Sequence, residues 1–359
     1  MLSSVATPYA ATRKNVADCC ASPVEDRAFR AAVLDAIRLA LPFDGYVWVL
    51  TDPASSVGVS PLAYIPNLDM RQLPQIIRAK YATSINRWTN LPEGGCAGLA
   101  ATTGGDLART ALWRAAAKEL PVVDILSAVL RDRFGCWGFL DLWRSDGAVF
   151  SDDDAQFLSS LLGQLTVAQR SRVAQMFGPR IAAAADRGPA LVLLDDDLRP
   201  VTETPAAEQS LRRLLPTDPR DAPIPAAALN VAAQLLASEQ GIDSSPPHSR
   251  MHSHGGTWVT LQAARLRSSG ASMAASIAVT IDSIGLADRV DVFGRAHGFT
   301  QRETDVVAEL SRGNSTRQAA QRLGVSEYTV QDHLKAIFAK SSVSSRVELI
   351  ARASGTAAT

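Results

Sequence analysis

The sequence predicts a multidomain α+β chain that ends in an all-α unit. Three observations carry that expectation. First, 359 residues, 47% apolar and 20% charged, suffice for two or three domains that each bury a core. Second, β-rich runs alternate with helical ones twice before residue 285. Third, residues 285–355 hold only helical periodicity, punctuated by N-cap residues. Lys+Arg and Asp+Glu balance at 36 each, so a polyanion must be met by a local arrangement of charge.

Residues 1–24 are rich in Ala, Ser and Thr and are expected to be poorly ordered. They lack the apolar core of a secretory signal, and no stretch approaches eighteen consecutive apolar residues. Cys19, Cys20, Cys96 and Cys136 fit neither a disulfide framework nor a paired zinc site. A cytoplasmic protein away from membranes is the expectation.

Residues 25–150 form the first predicted unit. Phe29, Val33, Ile37 and Leu41 recur at helical spacing, and the break at Pro42 leads into the β-rich GYVWVLT. CWGFLDLWRSDG reads as a strand and turn, apolar on both faces apart from Asp141. Strict alternation places Cys136, Gly138, Leu140 and Leu142 on one face and Trp137, Phe139 and Trp143 on the other. Such a strand is buried twice, or faces a core on one side and a pocket on the other. Residues 151–185 read as a long connector or dimer-forming helix. Ser151 is its N-cap, and three aspartates suit the positive end of its dipole.

A second unit spans residues 186–284. PALVLLDDDLRPVTETPAAEQSL reads strand, acidic turn, strand, helix; SRMHSHGGTWVTLQAARL reads as a hairpin about Gly255 and Gly256; SIAVTID closes the unit. His252 and His254 share a strand face with His248 nearby, yet no Cys or carboxylate completes a metal site, so none is expected.

The last unit, residues 285–355, is the most informative. Thr300–Glu303, Ser315–Gln318 and Ser345–Glu348 each match a capping box, and Ser326 is a natural N-cap for a further helix. Only Gly324, Val325 and Ser326 separate two short helices, the mark of a helix-turn-helix. Val330, Leu334, Ile337 and Phe338 form the inward stripe of the second helix. Tyr328, Gln331, Asp332 and Lys335 form the opposite row, a face able to donate to and accept from base edges in a major groove. Nine Lys/Arg against eight Asp/Glu between Leu286 and Ala351 do not make a strongly basic patch. Binding would then rest on dimerisation and a few phosphate contacts.

The run FTQRETDVVAELSRGNSTRQAAQRLGVSEYTVQDHLKAIFAKSSVSSRVELIA resembles the LuxR-type (NarL/FixJ-like) helix-turn-helix across its whole length. The match includes T-x-R-E, the G-V-S turn, T-V-x-x-H-L-K and the closing S-R-x-E-L. The resemblance implies a four-helix unit in a transcriptional regulator that binds double-stranded DNA as a homodimer, with RNA polymerase a further candidate partner. It implies base contacts by Gln331, Asp332 and Lys335, phosphate contacts by Arg302, Ser326, Thr329, His333 and Lys340, and pairing around Val347 and Ile350. Three departures stand out. Ala319 replaces a bulkier aliphatic residue, Ser341 and Ser342 replace Leu-Gly at the end of the reading helix, and acidic Asp332 lies in the reading face.

WGFLDLWRSDGAVFSDDDAQFLSSLLGQL, with the first helix and GYVWVLT, resembles a GAF domain. That resemblance implies a six-stranded antiparallel sheet with a pocket over one face, for which Trp48, Trp88, Trp113, Trp137 and Trp143 are candidate lining residues. Cys96 or Cys136 is a candidate thiol sensor. No histidine precedes His248, which excludes a His-ligated haem there, and no cofactor is expected. Residues 186–284 resemble a PAS-like sensor. The expected function is a regulator that senses a small molecule or redox signal and transmits it through the helix from Asp152 to Phe177. The alternatives are a GAF-fold enzyme or an interaction scaffold with a helical tail. No nucleophile elbow, P-loop, dinucleotide fingerprint or HExxH supports an enzyme. A phosphorelay receiver is rejected, since Asp52 after GYVWVLT lacks the β/α alternation that should follow.

Overall fold

A computed structural model describes residues 6–116, 122–178, 188–215, 222–254, 256–267 and 276–355. Helices α1 (Ala6–Ala21) and α2 (Asp26–Arg38) lead into strands β1 (Gly45–Thr51) and β2 (Gly58–Tyr64) and helix α3 (Leu73–Ala82). Strand β3 (Cys96–Gly98), helices α4 (Leu99–Thr103) and α5 (Ala111–Ala116), strands β4 (Asp124–Asp132) and β5 (Gly135–Arg144), and helix α6 (Asp152–Gln175) complete the first unit. Its strands form one antiparallel sheet in the order β2-β1-β5-β4-β3. Five strands stand among the described residues where six were expected.

The segment expected to be poorly ordered carries α1. It has no clean apolar stripe of its own, so tertiary contacts hold it. Tyr9 stacks on Phe157 of α6 at 4.3 Å, Val16 is fully buried, and Arg172 donates to the carbonyls of Cys19 and Ser22. In turn, α6 spends its apolar residues Leu158, Leu161, Leu162 and Leu165 on the core of its own unit, where the sequence reads as a connector. The Ser151–Asp154 capping box at its start makes both reciprocal bonds.

The sheet has two unlike faces. Trp48, Leu140 and Leu142 point into the main core with α2 and α6. Val47 and Asp141, directly paired across β1 and β5, point the other way with Trp143. Simple alternation misplaces the start of β5. The β4–β5 register jumps between Leu130↔Gly138 and Arg131↔Cys136, leaving Trp137 as the extra residue of a bulge. Trp137 therefore joins the core of Leu140, while Cys136 joins Phe139 on the opposite side.

Strands β6 (Leu191–Leu194) and β7 (Pro200–Glu203), helices α7 (Pro205–Leu214) and α8 (Ala226–Glu239), and strands β8 (His248–His252), β9 (Trp258–Arg265) and β10 (Ile277–Ser283) form the second unit. Its sheet order, β7-β6-β10-β9-β8, repeats that of the first: second, first, fifth, fourth, third. Helix α8 is Ala-rich and buried nearly all round, because it lies between its own strands β9 and β10 and the first unit's α3 and β2. Gly58 of β2 admits it: a Cβ there would lie 3.0 Å from Asn230 Nδ2.

Helices α9 (Leu286–Ala296), α10 (Gln301–Ser311), α11 (Thr316–Leu323), α12 (Glu327–Ser341) and α13 (Arg346–Ser354) complete the chain. The expected four-helix unit is α10–α13. The additional α9 packs on α10 and α13 and also on α6. Two of the three expected capping boxes close fully, at Thr300 and Ser315. In the third, Ser345 still caps Glu348, but the Glu348 carboxylate turns to the backbone N–H and hydroxyl of Ser344.

Candidate functional site

Helix α12, the expected reading helix, is set by its caps. Gly324 adopts φ +67 to end α11, and the N–H of Val325 returns to the Ala320 carbonyl at 3.0 Å. Ser326 then accepts from the Thr329 N–H at 3.1 Å to start α12. The small Ala319 and Ala320, both buried, let α11 and α12 cross closely. Val330, Leu334 and Ile337 anchor the inner side of α12, with Phe338 half-buried beside them.

The outer face carries the predicted row. Tyr328 is 85% exposed, and Gln331, Asp332 and Lys335 are exposed with it. Lys335 donates to Asp332 at 3.0 Å in an open ion pair, which holds only weakly in water. Thr329 and His333 are half-buried at the edge of this face, and the Thr329 hydroxyl lies 2.9 Å from that of Ser326. Arg302 is exposed, with only a 3.9 Å contact to Asp305. Lys340 is differently placed: its ammonium reaches both carboxylate oxygens of buried Glu303, at 2.8 and 2.6 Å. It thereby ties the end of α12 to the capping box of α10. Exposed Arg317 on α11 was not singled out in the sequence. Ser342, at the Leu-Gly departure, ends α12 at φ +53, the left-handed conformation that glycine takes most easily. Val347 of α13 is exposed and Ile350 half-buried.

Residues 297–353 match the GerE family, described as bacterial regulatory proteins, luxR family. The match covers α10–α13 and marks this end of the chain as a DNA-binding unit of a transcriptional regulator. A search of curated proteins returns no match to the chain.

A second candidate site lies between the first and second units. A cavity of about 680 Å³ opens between α3, the outer face of the sheet and α8. Val47, Ile76 and Leu112 contribute apolar wall, while Ala226 and Asn230 of α8 close one side. Its floor is polar. Lys80 reaches Asp141 at 2.9 Å and Ser127 at 3.2 Å, and Trp88 Nε1 donates to Asp141 at 2.8 Å. Burial holds the Lys80 ammonium below the usual lysine range, with Asp141 opposing the shift. Of the five candidate tryptophans, Trp88 and Trp143 line the cavity. Trp48 and Trp137 lie in the core on the other face, and half-buried Trp113 lies outside the lining. Lys80 was not legible as a site residue, whereas Asp141 left a signal as the one charge within an apolar strand.

The thiols are poorly suited to sensing. Burial pushes Cys96 up to about 12 and raises buried Cys136 as well, so neither favours the reactive thiolate. His252, tilted against the Trp258 ring, is lowered to about 4 by burial, and His254 is exposed. No group of metal-ligating side chains occurs among the described residues, and no described helix is long and apolar enough to cross a membrane.

One polar network joins all three units. Asp52 is fully buried and accepts from Arg250 at three points: the backbone N–H at 2.8 Å, Nε at 2.7 Å and Nη2 at 2.9 Å. Burial raises the Asp52 carboxyl, but the Arg250 bonds and charge outweigh it and hold the group below its usual range. Arg250 Nη1 then reaches Asp291 of α9 at 2.9 Å. Asp291 pairs with Arg295, which donates to the Phe134 carbonyl in the β4–β5 turn at 3.0 Å.

Proposed function

We propose that this protein is a transcriptional regulator whose α12 reads double-stranded DNA and whose first two units, a GAF-like and a PAS-like sensor, control it through a small effector. The carrying observation is the exposed row Tyr328, Gln331, Asp332 and Lys335 on a helix fixed by caps within the matched segment. Gln331 and Lys335 suit adenine and guanine edges, and Asp332 suits a cytosine amine. Arg302, Arg317 and the helix start at Ser326 and Thr329 are placed for phosphates, whereas Lys340 is the weaker candidate because Glu303 holds it. Pairing of two copies through α13 is supported by exposed Val347 and by the need of a nearly neutral reading unit for two footholds on the duplex.

The cavity over the first sheet supports small-molecule sensing better than redox sensing, since it is preformed and the thiols are protonated. A route from it to α9 is available. Helix α8 forms its wall, the sheet of the second unit carries Arg250, and Arg250 grips both Asp52 and Asp291. Occupancy that shifts α8 would thus bear on the docking of α9, and with it on the spacing of two reading heads. The test is selection of duplexes from a randomised pool by the full-length protein. Enrichment of one motif, with two half-sites about one helical turn apart, is expected. A pool that stays random at low salt would refute the reading.

A further inference from the structure

The floor of the cavity restricts what it can hold. Lys80 donates to Asp141 Oδ1 (3.1 Å) and Ser127 Oγ (3.2 Å), its ammonium also lies 2.9 Å from Asp141 Oδ2, and it sits 4.2 Å from the Trp88 ring centre. Asp141, Ser127 and the Trp88 ring thus surround it, and the carboxylate already answers its charge. Asp141 differs. Its Oδ1 takes Lys80 and Trp88, but its Oδ2 takes Lys80 alone, which leaves one acceptor direction open. Trp143 lies two residues along the same face of β5, about 7 Å away by strand geometry. It lines the same cavity, and its buried Nε1 has no acceptor. Asp141 thus offers the cavity an open acceptor, while the Trp143 ring lines the same space and keeps its Nε1 buried out of reach.

Charge decides the rest. Lys80 and Asp141 already neutralise each other. Arg27 and His254 also line the cavity but are exposed, so an ionised head group beside Asp141 would meet no free counter-charge on the floor and would carry a large desolvation cost. We propose that the cavity binds a neutral, mainly apolar alcohol or phenol whose hydroxyl donates to Asp141. This deepens the reading of the cavity as the effector site and rests on it, but the binding itself does not depend on DNA. A body of ten or so carbons fits, as a cavity of about 680 Å³ is in the usual range for small-molecule sites.

The test titrates full-length protein calorimetrically with four probes of matched chain: decan-1-ol, 1-methoxydecane, decanoate and decylamine. The alcohol should bind at least tenfold tighter than the ether, which cannot donate, as expected for a hydrogen bond to a charged acceptor. Both ions should bind more weakly than the alcohol. In the double variant Lys80→Met/Asp141→Leu, which exchanges a buried pair for apolar groups of similar size, alcohol and ether should come within about twofold of each other. Trp143→Phe should weaken both and keep their ratio, which gives a second reading if the double variant does not fold. An ether or an ion that matches the alcohol, or no binding by any probe, would overturn the assignment. An alcohol preference without any change in DNA affinity would leave the assignment standing and refute the coupling instead.

Discussion

Replacing Arg250 with methionine tests the network that joins the three units. The side chain leaves behind Asp52, fully buried and without its counter-charge. Three backbone donors remain on that carboxylate, from Ala54, Ser55 and residue 250 itself. Breaking one side of a buried pair costs roughly 3–5 kcal/mol, and these donors place the expected loss near the low end, about 3 kcal/mol at pH 7. The pH dependence has a definite sign. In the native protein the Asp52 carboxyl is held low, so its contribution is present above the unfolded value and fades as pH falls through the folded one. Without Arg250, burial dominates and pushes the carboxyl up. The penalty is then full at pH 7 and shrinks as protonation neutralises the group towards pH 4. Urea unfolding followed by tryptophan fluorescence at pH 7, 5.5 and 4 should therefore show the gap between native protein and variant narrowing with acid. Hydrogen exchange should show α9 less protected, because Asp291 has lost the partner that ties α9 to the second unit and keeps only Arg295 on its own helix. A gap that is constant or widens with acid, with α9 unchanged, would refute the reasoning.

Three further outcomes follow from local geometry. Ser342→Gly removes left-handed strain at the end of α12 and should raise the stability of the C-terminal unit by about 0.5–1 kcal/mol, read from its thermal midpoint; a fall would show that the serine makes an uncounted contact. Gly324→Ala meets no atom within 4 Å but must adopt φ +67, so it should cost roughly 1–2 kcal/mol, and a neutral result would mean that the turn relaxes freely. Glu303→Gln keeps the cap acceptor but loses the charge facing Lys340. The Glu303 carboxyl sits below its usual range, since Lys340 and the Thr300 N–H outweigh burial, so its stabilisation is present above the unfolded value and lost as pH falls. The variant should be less stable at pH 7 and converge on the native protein as pH falls through the lowered range of the folded carboxyl. Parallel curves would remove that pair from the account.

The C-terminal unit was legible because its signals are local. Thr300, Ser315 and Ser326 cap helices through bonds spanning three residues, and Gly324 turns the chain within one. The two β-containing units were legible in element order, since alternation and turn residues are also local. Long-range features were not. Trp48 and Trp137 read as pocket candidates, but the bulge at Trp137 turns that ring into the core, and only the pairing of β4 with β5 reveals it. Helix α1 reads as loose because its partner α6 lies far along the chain. Lys80 finds Asp141 across 61 residues, and Arg250 finds Asp52 across 198, distances over which no spacing rule operates. The role of Lys340 was obscured in a similar way: its charge points to phosphate, while Glu303 occupies it.

The central claim is that α12 reads base sequence. Its most direct test is fluorescence anisotropy at fixed salt, comparing the selected duplex with a scrambled one for the native protein and for Gln331→Ala/Lys335→Ala. Each good base contact is worth about 1–3 kcal/mol of discrimination. The preference for the selected duplex should therefore fall by roughly 30-fold or more, towards parity, while binding to the scrambled duplex changes little and the melting profile stays the same. An unchanged preference in the folded double variant would contradict the account and move sequence reading away from this helix.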